Sequence, residues 1–249
     1  MKRTLLMFVI ALALVASACG DDAETTTTAA SSGGDTATTA AGAGASGAEA
    51  AAAKSDAVVE AAPDGWTVEV TNTLAASEPI EQQVLFAPCL EGGSFDFGTL
   101  DADSVAAINT SVAAPLSPDA PAASNASVET RVFVSESAAA GAYSVLESIL
   151  GTTIGRECVA ASSFDLIKDQ LPEGASTEYR VEEFLLATGD YGTSLIWLIK
   201  TDSEELSVFI DMVAYRDGDC TIFTIFTGFG EPFPTAVAVQ LMDAAIAAG

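Results

Sequence analysis

Two apolar runs rich in β-branched and aromatic residues, joined by Asp217-Gly218, fill the stretch from Leu206 to Thr227. An Asp-Gly link between such runs signals a hairpin, because a type I′ turn needs positive φ at both central positions. With that pair as the turn, Arg216 is expected to face Asp219, Tyr215 to face Cys220, Val213 to face Ile222 and Met212 to face Phe223. One side of the hairpin then carries Val208, Ile210, Met212, Phe223 and Ile225. The other carries Phe209, Val213, Tyr215, Cys220, Ile222 and Phe226, with Asp211 and Thr224 as its clearly polar pair. Both sides are mostly apolar, so the hairpin belongs inside a layered domain that covers it twice.

The rest of the pattern supplies the cover. Val128, Thr130, Val132 and Val134 alternate along a strand, and Ser135 then stands as N-cap to a helix ending at Gly151. Ala139, Ala142, Tyr143, Leu146, Ile149 and Leu150 share one face of that helix. Further helices are expected over 48–62, 77–86, 164–170 and 235–247, and strands over 67–71, 179–187 and 194–200. Residues 91–127, with Gly92-Gly93, Pro115, Pro118 and Pro121, read as loop. Strands that follow one another as hairpins, flanked by helices, predict an α+β domain: an antiparallel β-sheet with helices packed on it, over 55–249.

The N-terminus adds an address. Lys2 and Arg3 precede an apolar run from Leu5 to Val15, too short to span a bilayer, and VASAC follows with Cys19. This is the layout of a lipoprotein signal peptide over 1–18, with Ala16 where leucine is usual and Cys19 as the lipidated residue. Residues 19–54, mostly Ala, Thr, Ser and Gly, read as a disordered tether holding the domain off the membrane. The lipid would thus anchor the chain to the extracytoplasmic side of the cell membrane.

Charge and composition then exclude classes of function. The formal net charge is −26, and −28 once Lys2 and Arg3 leave with the signal peptide, which argues against a nucleic-acid partner. Histidine is absent, so no Ser-His-Asp triad, Cys-His pair or HExxH zinc site can form. No catalytic residue, cofactor or metal site stands out. Asp217-x-Asp219 and Asp101-x-Asp103 lack the calcium-loop spacing, and the two N-x-S/T matches at Asn109 and Asn125 read as chance. Arg131, Arg180 and Arg216, placed on expected strands of so acidic a chain, are the candidates to hold a ligand carboxylate or phosphate. Pairing with local acids is the plainer reading of each.

The order of these features carries a resemblance. PDGW at Pro63 to Trp66, Cys89, VETRVFVSES, Cys158, ATGDYGTSLIW and VAYRDGDCTIF, then an Ala-rich closing helix, resemble actinobacterial lipoproteins with a PknH-like extracellular sensor-type domain. The resemblance covers roughly 55–249 and implies a sheet with helices packed on it, a cystine, a cleft for a small envelope ligand, and no enzymatic activity. With Cys19 lipidated, three cysteines remain and three pairings are possible. The spacing, similar to that family's, favours Cys89–Cys158, with Cys220 behaving as a small buried apolar side chain. The reading is therefore a non-enzymatic ligand-binding or sensory lipoprotein. A carrier of apolar ligands and a carboxylate-dependent hydrolase are the alternatives, the latter requiring two acids that converge in a cleft.

Overall fold

A computed structural model describes residues 38–74, 89, 103–115, 124–167, 171, 175–184, 186, 189–201 and 205–248. The signal peptide, Cys19, the first part of the expected tether, the helix expected over 77–86 and Asp101 lie outside the described residues.

Seven strands form one antiparallel sheet: β1 (Thr67–Asn72), β2 (Ser104–Ala113), β3 (Ser124–Phe133), β4 (Ser176–Glu183), β5 (Tyr191–Lys200), β6 (Glu205–Asp217) and β7 (Cys220–Phe229). Their order across the sheet is β1-β2-β3-β7-β6-β5-β4. Two meanders thus meet where β3 pairs with β7, and β7 lies at the centre. Among the described residues four helices pack on this sheet: α1 (Thr38–Ala61), α2 (Glu136–Leu150), α3 (Thr153–Ile167) and α4 (Thr235–Ala247).

Period-two alternation divides the sheet into two faces. Face one carries Val112, Ala126, Val128, Val213, Ile222 and Phe226, which pack with Ala51 and Val58 of α1 and Leu241, Met242 and Ala245 of α4. Face two carries Leu195, Trp197, Met212 and Phe223, which pack with Tyr143, Ile149 and Leu150 of α2 and Val159 and Ala160 of α3. The hairpin of β6 and β7 contributes side chains to both cores, as its two apolar faces require. Its register differs from expectation by two residues: Asp217 pairs with Cys220 and Met212 with Ile225, so Gly218-Asp219 forms the turn. Gly218 takes the left-handed conformation, φ 56°, that this turn needs. A shift of two leaves every side chain on its predicted face.

Other boundaries move for identifiable reasons. α2 starts and stops as its caps predict: Ser135 Oγ accepts from Ala138 N–H at 3.2 Å, and Gly151 N–H donates to Glu147 O. α3 begins at Thr153 and contains Cys158, where a shorter helix near 164–170 was expected; its weakly amphipathic residues hide it. β2 lies within residues read as loop, and β3 begins at Ser124 where residue 128 was expected, because both strands carry polar residues on one face. β4 runs Ser176–Glu183 where 179–187 was expected. α1 begins at Thr38, within the residues expected as tether. Gly47, Ala51, Lys54, Ser55 and Val58 form its buried stripe, small enough for the helix to lie close against β2: a Cβ on Gly47 would stand 2.4 Å from Val105.

Cys89 and Cys158 are joined in a disulfide, with Cα atoms 5.4 Å apart and 69 residues of separation. Cys220 is unpaired and buried on β7. Burial pushes its thiol up to about 11, while Lys54 pulls the other way. Lys54 is itself buried and donates from Nζ to Ala245 O at 3.1 Å, satisfying a carbonyl in the last turn of α4.

Candidate functional site

The buried polar groups of the sheet are unevenly spread. On face two, β6 and β5 are apolar under α2 and α3, whereas β2, β3 and the near edge of β7 are polar. Strand register places them in rows. Ser111 pairs with Ser127, and Asn109 with Glu129. Ala107 lies opposite Arg131, Arg131 opposite Thr221, and Thr221 opposite Arg216. Thr73 extends that last row, since its N–H donates to Ala107 O at 2.9 Å. Adjacent strands lie about 4.8 Å apart, so Thr73, Ala107, Arg131, Thr221 and Arg216 span about 20 Å of one sheet face, on which Ala107, Arg131 and Thr221 are buried.

This surface is internally bonded. Ser127 Oγ donates to Asn109 Oδ1 at 2.8 Å, and Ser111 Oγ donates to Asn125 Oδ1 at 3.2 Å. The two N-x-S matches are therefore cross-strand partners of one another, each serine serving the other strand's asparagine. Arg131 is buried and donates from Nε to Glu129 Oε1 at 3.2 Å and from Nη1 to Ser104 Oγ at 3.2 Å. A strand irregularity between Ser104 and Ala106 sets Ser104 opposite Phe133, which turns its hydroxyl onto the arginine's face. Glu129, two residues before Arg131 on the same strand, points the same way and supplies the charge that a buried guanidinium requires. Thr73 Oγ1 is buried and has no hydrogen-bond partner among the described residues, at the end of the arginine row.

The three candidate arginines fare differently. Arg131 and Arg216 share a face and a row, with Thr221 between them. Arg216 sits at the hairpin tip and donates from Nη1 to Gly218 O at 3.2 Å. Arg180 lies on the edge strand β4, opposite Ile196, on face one. Its side chain is 76% exposed, with the guanidinium 3.7 Å from Glu182, so it joins neither of the others. The hydroxyl and amide residues around Arg131 were not singled out from sequence. The signal was present in the alternation of Asn109-Ser111 and Asn125-Ser127, but each strand alone reads as a polar loop.

Beside this surface, two tyrosines fasten α2 to the start of β5. Tyr143 donates to Asp190 Oδ2 at 2.8 Å and Tyr191 to Glu147 Oε1 at 2.7 Å, with the rings 5.9 Å apart. Burial first, then the Asp190 carboxylate, raise the Tyr143 phenol well above its ordinary range; the hydrogen bond to Glu147 raises Tyr191. Both phenols stay protonated donors.

This polar face is largely buried and hydrogen-bonded within itself. Ser111 and Ser127 give their protons to asparagine carbonyls, so neither is held by a base as a nucleophile would be. Among the described residues no group of three His, Cys, Asp or Glu side chains is placed to hold a metal. The described residues include no helix long and apolar enough to cross a membrane.

No family model and no curated protein matches the chain. Among solved structures it is distantly similar to LpqN, involved in cell envelope biogenesis of Mycobacterium tuberculosis, at 14% identity and a TM-score of 0.28. That similarity covers 55% of this chain and 66% of LpqN, just under two thirds of the relative's length. It is also similar to the extracellular domain of PknH from Mycobacterium tuberculosis, at 9% identity and a TM-score of 0.35, covering 78% of this chain and 90% of that one. Likeness at this level transfers no residue, ligand or partner.

Proposed function

We propose that this chain is a membrane-anchored extracytoplasmic lipoprotein whose α+β domain binds a small cell-envelope ligand without turning it over, as a sensory domain does. The observation that carries the reading is the row from Thr73 through Arg131 to Arg216. It combines one buried and one rim guanidinium with a hydroxyl that has no partner among the described residues, on a floor of serine and asparagine dipoles. Such a surface suits a ligand with an acidic group and several hydroxyls, because guanidinium groups hold carboxylate or phosphate while the amides and hydroxyls match sugar-like donors and acceptors. The signal sequence and Cys19 supply the address.

The hydrolase alternative needs two converging acids. Asp211, a buried acid of face one, has Ser194 and Phe226 as its cross-strand neighbours, and the next acid in its row, Glu182 across Ser194, is exposed and lies beside Arg180.

The test is a thermal-shift screen of the mature domain against neutral and acidic envelope saccharides, with Arg216→Gln and Thr73→Val as variants. Acidic members are expected to raise the melting temperature by several degrees, as binding to the folded state alone requires, and both variants to lose that response. Absence of any response overturns the reading. So does hydrolysis of an ester, peptide or glycoside that a single Asp or Glu substitution abolishes.

A further inference from the structure

Face one holds a second feature, remote from the arginine row. α1 and α4 cover its β1, β2, β3 and β7 half. Over β5 and β6 the cover changes. Phe209, Ile196 and Leu198 point to this face yet remain only half-buried, and among the described residues none of them packs into either hydrophobic core. Register makes them one floor: Ile196 lies opposite Phe209, and Leu198 opposite Ser207. The next row toward the hairpin tip is Asp211 opposite Ser194, both buried.

Walls stand around this floor. Phe209 faces Gly228 on β7, and a Cβ at Gly228 would stand 2.2 Å from Glu231 O, so the segment leading into α4 passes directly over that strand. Beyond Asp211, Val213 belongs to the same core cluster as Leu186 and is approached by Gly189, whose own Cβ would stand 2.3 Å from Val213. On the outer side, β4 carries the exposed Arg180–Glu182 pair. The result is a shallow strip of face one, two strands wide and apolar along its floor, with a buried carboxyl group at one end.

That carboxyl is 6% exposed, and burial raises it above the ordinary carboxylate range, with the Ser194 hydrogen bond opposing. A lone carboxylate in an apolar setting is costly unless a cation pairs with it. We infer that the strip over β5 and β6 binds an amphiphilic amine, its ammonium head against Asp211 and Ser194 and its apolar body along Phe209, Ile196 and Leu198. The sign of the head follows from charge complementarity: one end offers a carboxyl group, and the chain as a whole carries −26. A hydrocarbon body is set by the three apolar side chains, which gain by leaving water.

The site is independent of the arginine row, on the opposite face, so either can fail without the other. The experiment is calorimetric titration of the mature domain with n-octylamine, with n-octanol and octanoate as probes of equal length. Octylamine is expected to bind at least tenfold more tightly than octanol, and octanoate not to bind. Asp211→Asn should remove the preference for the amine and leave octanol binding unchanged. Leu198→Asp, at the open end, should weaken octylamine and octanol alike while keeping the amine preference. Equal binding of all three probes, an unchanged amine preference in Asp211→Asn, or no octylamine binding at millimolar concentration overturns the assignment.

Discussion

Arg131 shows how a single side chain can commit a strand. Its guanidinium is 3% exposed, and Glu129 provides its charge partner from two residues away. Removing one member of such a pair leaves an uncompensated buried charge, whereas replacing both with apolar groups does not. Glu129→Ala is therefore expected to cost about 3–5 kcal/mol in urea unfolding, and the double change Glu129→Leu with Arg131→Met much less. Asp211 carries the opposite lesson. Its folded-state value is raised by burial, so the folded protein binds a proton more readily than the unfolded chain. Stability contributed by the protonated group is present at pH below the ordinary value of 3.8 and is lost as pH rises through the raised value. Asp211→Asn should then match the parent in strong acid and exceed it in stability near neutrality, as read from urea midpoints across pH. At Cys220, a thiol held up to about 11 and buried stays protonated and unreactive. Iodoacetamide at pH 8 is expected to label it only after unfolding.

At the scale of elements, two glycines in helices make opposite demands. In a free helix, glycine is about 1 kcal/mol worse than alanine. Gly141 on α2 has nothing within 4 Å of its missing Cβ, so Gly141→Ala should stabilise by about 0.5–1 kcal/mol. Gly47 on α1 lies 2.4 Å from Val105 at the same point, and there Gly47→Ala should destabilise despite the better propensity, because α1 must lift off β2. Paired chemical denaturation of the two variants separates propensity from packing. Ser135→Ala removes the N-cap of α2 and is expected to cost about 1 kcal/mol, visible as a lower urea midpoint.

At the scale of the molecule, the Cys89–Cys158 bond closes a loop of 69 residues and ties α3 to the segment preceding β2. Chain-entropy reasoning assigns such a loop about 4 kcal/mol, so the reduced protein should unfold at markedly lower urea while Cys220 stays shielded until it does. The proposed anchor rests on one sulfur: Cys19→Ser should leave an unprocessed precursor that labelled palmitate does not mark.

Much of this architecture was legible in sequence, and the limits of that reading are physical. The central hairpin, the cap at Ser135, the stop at Gly151 and the closing helix follow from local rules: turn chemistry, capping, and a period that matches one buried face. α1 was expected from residue 48, and its earlier turns escaped because Gly47 contributes closeness to β2 and not hydrophobicity. β2 and β3 escaped in part because Asn109, Ser111, Asn125 and Ser127 look like loop residues until the strands pair and each finds its partner. For the same reason sequence could name Arg131, Arg180 and Arg216 but could not sort them. Parity and register, which exist only once β3, β7 and β6 lie side by side, put two of them in one row and sent the third to the opposite face. Local free energies determined the elements; the long-range pairing of strands decided which side chains share a surface.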